Sequence, residues 1–66
     1  MKLGNRIRAE RERLGLTQVA LAARIGVGSD VISRYERDLM TPSVASLRAL
    51  AREFGVSMDD LVNQAA

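Results

Sequence analysis

Apolar positions recur along this chain at three- and four-residue intervals, interrupted by glycines and by small polar residues, and the pattern predicts five short helices. Leu3, Ile7 and Leu14 fall at i, i+4 and i+11, one face of a helix over 3–14 whose other positions are mostly charged. Gly15 follows as its terminating residue. Thr17 stands where a hydroxyl would accept from the first backbone N–H groups of a second helix, which runs to Ile25. A third helix starts at Gly28 or Ser29 and ends near Arg37, and residues 38–42 read as a loop in which Pro42 fixes a turn. Ser43 is the N-cap of a fourth helix, with Val44, Leu47, Leu50, Ala51 and Phe54 as its apolar stripe and Gly55 at its end. Ser57 with Asp60 three positions on has the spacing of a capping box. The short fifth helix that follows turns Leu61 inward, and residues 63–66 read as a frayed tail. No strand alternation, repeat or low-complexity segment interrupts this all-α reading of a single domain over 1–66.

The segment 18–37 carries a more specific spacing. Ala22 lies four positions before Gly26, and the β-branched Ile32 lies six positions after it. Two helices crossing steeply at a short turn need a small residue at the crossing and a residue tolerant of positive φ at the turn. Ile25, Val27 and Ile32 would fill the inside of the corner, with Leu21 and Tyr35 extending it. That is the spacing of a helix-turn-helix that reads DNA. On the third helix Ser29, Asp30, Ser33, Arg34 and Arg37 share the side opposite Ile32 and Tyr35, and all are polar. The alternative is an αα-hairpin packed this way for structure alone, with an ordinary solvated face.

Composition narrows the function classes. At 66 residues the chain is near the lower size limit for a core without staples, and a stability of only about 3–10 kcal/mol is expected at that length. It has no Cys and no His, which excludes disulfides, thiolate or imidazole metal sites and histidine catalysis. The longest uninterrupted apolar run is residues 19–23, too short to span a bilayer, and the start lacks the apolar core of a signal peptide. A cytoplasmic protein without membrane partners is therefore expected. Net charge is +2, unevenly spread. Residues 1–14 sum to +3 (Lys2, Arg6, Arg8, Arg11 and Arg13 against Glu10 and Glu12), while residues 38–66 sum to −2. A polyanion should meet the first half. Enzyme chemistry has little support: Glu10 and Glu12 are two apart on a helix and diverge, and Asp59 and Asp60 at a helix start read as capping groups.

Taken together, LGNRIRAERERLGLTQ at 3–18, ISRYER at 32–37, TPS at 41–43 and LRALAREFGVSMDDL at 47–61 make the chain resemble the Cro/C1-type (Xre) helix-turn-helix family of phage repressors and bacterial regulators. The resemblance covers essentially the whole chain. It implies a compact five-helix, lambda-repressor-like domain with its third helix in the major groove of double-stranded DNA. Base-edge positions would then be Ser29, Asp30, Ser33 and Arg34, with Arg37 on the same face and Gly28 close to the backbone. Gln18, preceded by Thr17, would contact a phosphate at the start of the second helix. Arg11 and Glu36 match a structural ion pair, not a DNA contact. The resemblance further implies a homodimeric repressor or controller on a pseudo-palindromic operator, needing no cofactor. Its dimer contacts would lie at Val56, Met58, Asp59 and Val62, with Leu39 and Met40 as lesser candidates.

The chain departs from the family pattern at several positions. Ser29 is short where a long polar residue is common. Asp30 is anionic; it would accept from a cytosine amino group or pair with Arg34 at i, i+4. Ala20 stands where an acid usually caps the second helix, and the loop from Asp38 to Thr41 lacks glycine and basic residues. Ser29, Asp30 and the non-basic loop favour an alternative, a protein-interaction module of the same fold; a DNA-binding antitoxin whose protein partner is a toxin is a further alternative that the chain does not separate from a repressor or controller. Polymerase is the other protein such a regulator would touch.

Overall fold

The computed structural model describes residues 2–63 and consists of five helices, α1 (Leu3–Arg13), α2 (Gln18–Ile25), α3 (Ser29–Glu36), α4 (Val44–Phe54) and α5 (Met58–Asn63). Each helix contributes one aliphatic side chain that is fully withdrawn from solvent: Ile7, Leu21, Ile32, Leu50 and Leu61. Ala22, Tyr35, Ala51 and Phe54 complete the core, and Leu3, Leu16, Ile25, Val27, Val31, Leu47, Val56 and Met58 pack against it half-buried. The all-helical architecture expected from the periodicity is the one observed.

Local chemistry sets most of the boundaries. The Thr17 hydroxyl accepts from the Ala20 N–H at 3.0 Å, and the Ser43 hydroxyl accepts from the Ser46 N–H at 3.1 Å. Each satisfies one of the donors that a helix start leaves unpaired. Gly26 closes α2 in the left-handed conformation (φ 75°), and the Val27 N–H reaches back to the Ala22 carbonyl at 3.0 Å. The chain thereby reverses within three residues, and Ala22, only 2% exposed, takes the crossing point.

Three details differ from the pattern-based reading. The first helix stops at Arg13, so Leu14 is its C-cap and lies 39% exposed instead of on the core face. Val44 opens α4 and is 63% exposed, because its position in the first turn lies outside the reach of the core. The capping box on α5 is only half made. Ser57 Oγ accepts from the Asp60 N–H at 2.9 Å, but the Asp60 carboxylate turns to the Arg6 guanidinium at 3.3 Å. Of the tail, Asn63 is the last residue of α5, and residues 64–66 lie outside the described residues.

The start of α1 has no cap of its own: Lys2 precedes it, and no acid lies in its first turn. The cap comes from α3. Asp38, just past the end of that helix, adopts φ 58° and accepts from the Gly4 N–H through Oδ1 at 3.1 Å. Aspartate tolerates this left-handed geometry better than most residues, so one side chain both turns the chain away from α3 and caps α1. The approach is close. A Cβ added to Gly4 would lie 2.6 Å from the carbonyl oxygens of both Tyr35 and Glu36.

That contact reverses a general rule. Gly to Ala within a helix ordinarily gains about 0.5–1 kcal/mol, but here the added methyl would meet backbone that cannot swing aside. Gly4→Ala should lose about 1–3 kcal/mol, read as a lower urea midpoint at unchanged m-value.

Candidate nucleic-acid interface

The two sides of α3 are chemically distinct. Ile32, Tyr35 and Glu36 are buried. Ser29, Asp30, Arg34 and Arg37 are exposed and Ser33 is half-buried, with exposed Gly28 as the N-cap residue. Arg37 Nε makes a long contact of 3.4 Å to the Ser33 carbonyl. Among the described residues the Arg34 guanidinium and the Asp30 carboxylate form no hydrogen bond or ion pair, so the i, i+4 pair weighed from the sequence is not made. Asp30 instead folds back over the start of its helix, its Oδ1 only 2.5 Å from where a Cβ on Gly28 would stand. Thr17 is exposed and Gln18 half-buried at the start of α2.

The corner is held from behind by a buried carboxylate. Arg11 on α1 donates to Glu36 on α3 through Nε at 2.7 Å and Nη2 at 3.1 Å, while its Nη1 donates to the Leu16 carbonyl at 2.8 Å. Gln18, the first residue of α2, donates from Nε2 to the same carboxylate at 3.3 Å. Glu36 therefore ties three helices together. Its hydrogen bonds, and secondarily its charge, raise the Arg11 pKa above the ordinary arginine value despite the opposing effect of burial. An amide nitrogen carries two N–H groups; the one Gln18 gives to Glu36 anchors the side chain and leaves a second donor.

A search against protein families matches a helix-turn-helix model over residues 7–61. The chain belongs to the Cro/C1-type helix-turn-helix family. Among relatives in this family is the HTH-type transcriptional regulator ImmR of Bacillus subtilis, 34% identical over 97% of this chain. The chain spans 50% of ImmR's length. Its fold is similar to that of the P22 c2 repressor in complex with a synthetic operator (TM-score 0.91, 35% identity, 100% of this chain and 98% of that one). It is also similar to SinR, a master regulator for biofilm formation, in complex with DNA (TM-score 0.82, 32% identity, 89% of this chain and 95% of that one).

Within this helix-turn-helix frame α5 and its approach are less uniform than the sequence implied. Val56 and Met58 pack half-buried against the core, whereas Asp59 is exposed and Val62 is 41% exposed. Further exposed apolar side chains stand between α3 and α4 and at the start of α4: Leu39 is 67%, Met40 38% and Val44 63% exposed.

Two residues that hold the frame have partners the sequence does not point to. One is Asp38. The other is Arg6, only 8% exposed, which donates from Nε to Glu10 at 3.1 Å and from Nη2 to Asp60 at 3.3 Å. Glu10 also takes Arg13 Nε at 2.7 Å, and Arg13 Nη2 reaches the Phe54 carbonyl at the end of α4 at 2.9 Å. The spacing of Arg6 and Glu10 is legible, but Asp60 stands 54 positions away, so only folding pairs it.

Two outcomes follow for stability. Arg11→Met strands the Glu36 carboxylate in a buried site, a change that costs about 3–5 kcal/mol and should leave much of the population unfolded by circular dichroism at 25 °C. Burial opposes ionisation of Glu10, but its bonds to Arg13 and Arg6 outweigh this and lower its pKa. Its contribution is therefore complete above the unfolded glutamate value of about 4.3 and disappears as pH falls through the lower folded value. Urea melts from pH 6 down to pH 2 should show this loss, and Glu10→Gln should flatten it.

Proposed function

We propose that this domain is the DNA-binding unit of a transcriptional regulator, most simply a repressor, that places α3 in the major groove of double-stranded DNA. The observation that carries this reading is the exposed polar face of α3, on which Asp30 and Arg34 have no partner among the described residues, joined to the start of α2 through Glu36. The relatives are consistent with it: ImmR is a transcriptional regulator, and the similar P22 and SinR domains are seen with DNA. Arg34 is the principal reader, bidentate to guanine. Ser29, Asp30 and Ser33 lie along the same groove-facing side, with Arg37 at its end and Gly28 against the sugar–phosphate chain. Gln18 and Thr17, at the N-terminal end of α2, hold a phosphate, since the free N–H groups and dipole of a helix start favour an anion.

A single module of this size touches few base pairs. Two copies on half-sites about 34 Å apart gain both affinity and specificity. We therefore expect a homodimer, with exposed Asp59 and Val62 of α5 and the adjoining Val56 and Met58 as its contact region. The role is one of binding, not catalysis, it calls for no cofactor, and the cytoplasm is its expected location. A second reading, docking to a protein such as a toxin or polymerase, is favoured by the exposed Leu39, Met40 and Val44.

Enrichment from a randomised duplex pool at two salt concentrations separates these readings. An operator-reading dimer should return a two-fold-related motif whose affinity falls steeply with salt. Arg34→Ala should erase preference among the recovered sites, and Gln18→Ala should weaken all sites by a similar factor. Recovery of no motif, with weak salt-insensitive binding, would favour the protein-docking reading.

A further inference from the structure

The exposed face of α3 is split in charge: a carboxylate at its start and a guanidinium one turn later, neither neutralised by the other. The two helix starts at the corner also differ. The first turn of α2 contains no acid, whereas the first turn of α3 contains Asp30, whose Oδ1 already lies over the Gly28 backbone. An anion stationed there cancels the attraction that a helix start offers to phosphate. The α3 terminus thereby attracts a phosphate less than that of α2 does. Resting on the DNA-binding reading above, we propose that Asp30 is a specificity-determining residue that demands a cytosine in each half-site, about two base pairs from the guanine read by Arg34.

The chemistry selects the base. In the major groove a carboxylate needs a donor, and only the amino groups of cytosine and adenine supply one. The adenine amino group sits beside the N7 acceptor of the same base, which repels a carboxylate, whereas the cytosine edge presents its amino donor alone. Guanine and thymine present only acceptors there. The spacing comes from the helix. Asp30 and Arg34 are four residues apart, about 6 Å along the axis at 1.5 Å per residue, which matches two steps of about 3.4 Å along a strand. Asp30 is exposed and has no partner to lose among the described residues, so turning toward a base breaks no bond of the fold. It acts largely by exclusion: wherever the base lacks an isolated donor, the carboxylate is left desolvated against an acceptor.

The test is the pool enrichment run on wild type, Asp30→Ala and Asp30→Asn, followed by titration of each protein against the recovered site and its single-base variants. Wild type should return a half-site with a guanine and a nearby cytosine, and replacing that cytosine should weaken binding roughly tenfold. Asp30→Ala should accept any base there, keep the guanine, and bind unrelated duplex more tightly than wild type. Asp30→Asn should move the preference from cytosine to adenine, whose amino and N7 pair suits an amide. A change of preferred base is a readout that loss of stability cannot imitate. If both variants return the wild-type motif unchanged, Asp30 does not read DNA and the proposal falls while the DNA-binding reading stands. If wild type returns no motif at all, both fall together.

Discussion

The Glu36 carboxylate is the interaction on which the arrangement of the corner depends. It is drawn into the protein on the last turn of α3 and takes bonds from Arg11 on α1 and Gln18 on α2. A buried charge left alone would be strongly destabilising, so the fold can close only with α1 and the start of α2 at fixed positions relative to α3. The same end of α3 receives Gly4 at backbone contact distance and caps α1 through Asp38. Position and orientation of the polar face are thus set from its buried side. Asp30 and Arg34 on that face make no bond among the described residues, whereas Gln18 and Thr17 at the start of α2 also serve the fold.

Around that joint the protein is held by a very small core. One fully buried aliphatic residue per helix is close to the minimum that five helices can share, and a chain this short buries little apolar area in total. The chain Arg13–Glu10–Arg6–Asp60 supplements it by linking α1 to α5, while Arg13 also holds the end of α4. Arg6 and Glu10 are sheltered enough for these bonds to count. The exposed Arg8–Glu12 contact at 3.8 Å is of the kind that contributes little.

The two helix starts at the corner divide labour by charge. α2 begins with a hydroxyl cap and a tethered amide and has no acid in its first turn, which leaves its dipole available to an anion. α3 begins with an aspartate that weakens that attraction, and Arg34, one turn further on, has no partner among the described residues. For a domain of modest net charge this matters, since general attraction to a polyanion is weak and discrimination has to come from a few placed groups.

Much of this was legible along the chain because the signals are local. Capping by Thr17 and Ser43, the turn at Gly26, the small residue at the crossing and the periodic core positions each need only a few neighbouring residues. They determine five helices, the helix-turn-helix corner and the polarity of α3. Leu14 and Val44 show the limit of periodicity: both lie in phase with a core face, yet each stands at a helix end beyond the reach of the neighbouring helices. The roles of Gly4, Asp38, Arg6 and Asp60 were decided only by the tertiary structure. Each has a partner tens of positions away, and the freedom of Asp30 and Arg34 from one another is likewise a matter of where side chains settle. The sequence by itself determined which elements form, because capping and periodicity act over a single turn. Only the folded chain brought Arg6 to Asp60 and Asp38 to Gly4, because those contacts depend on distances that no local pattern encodes.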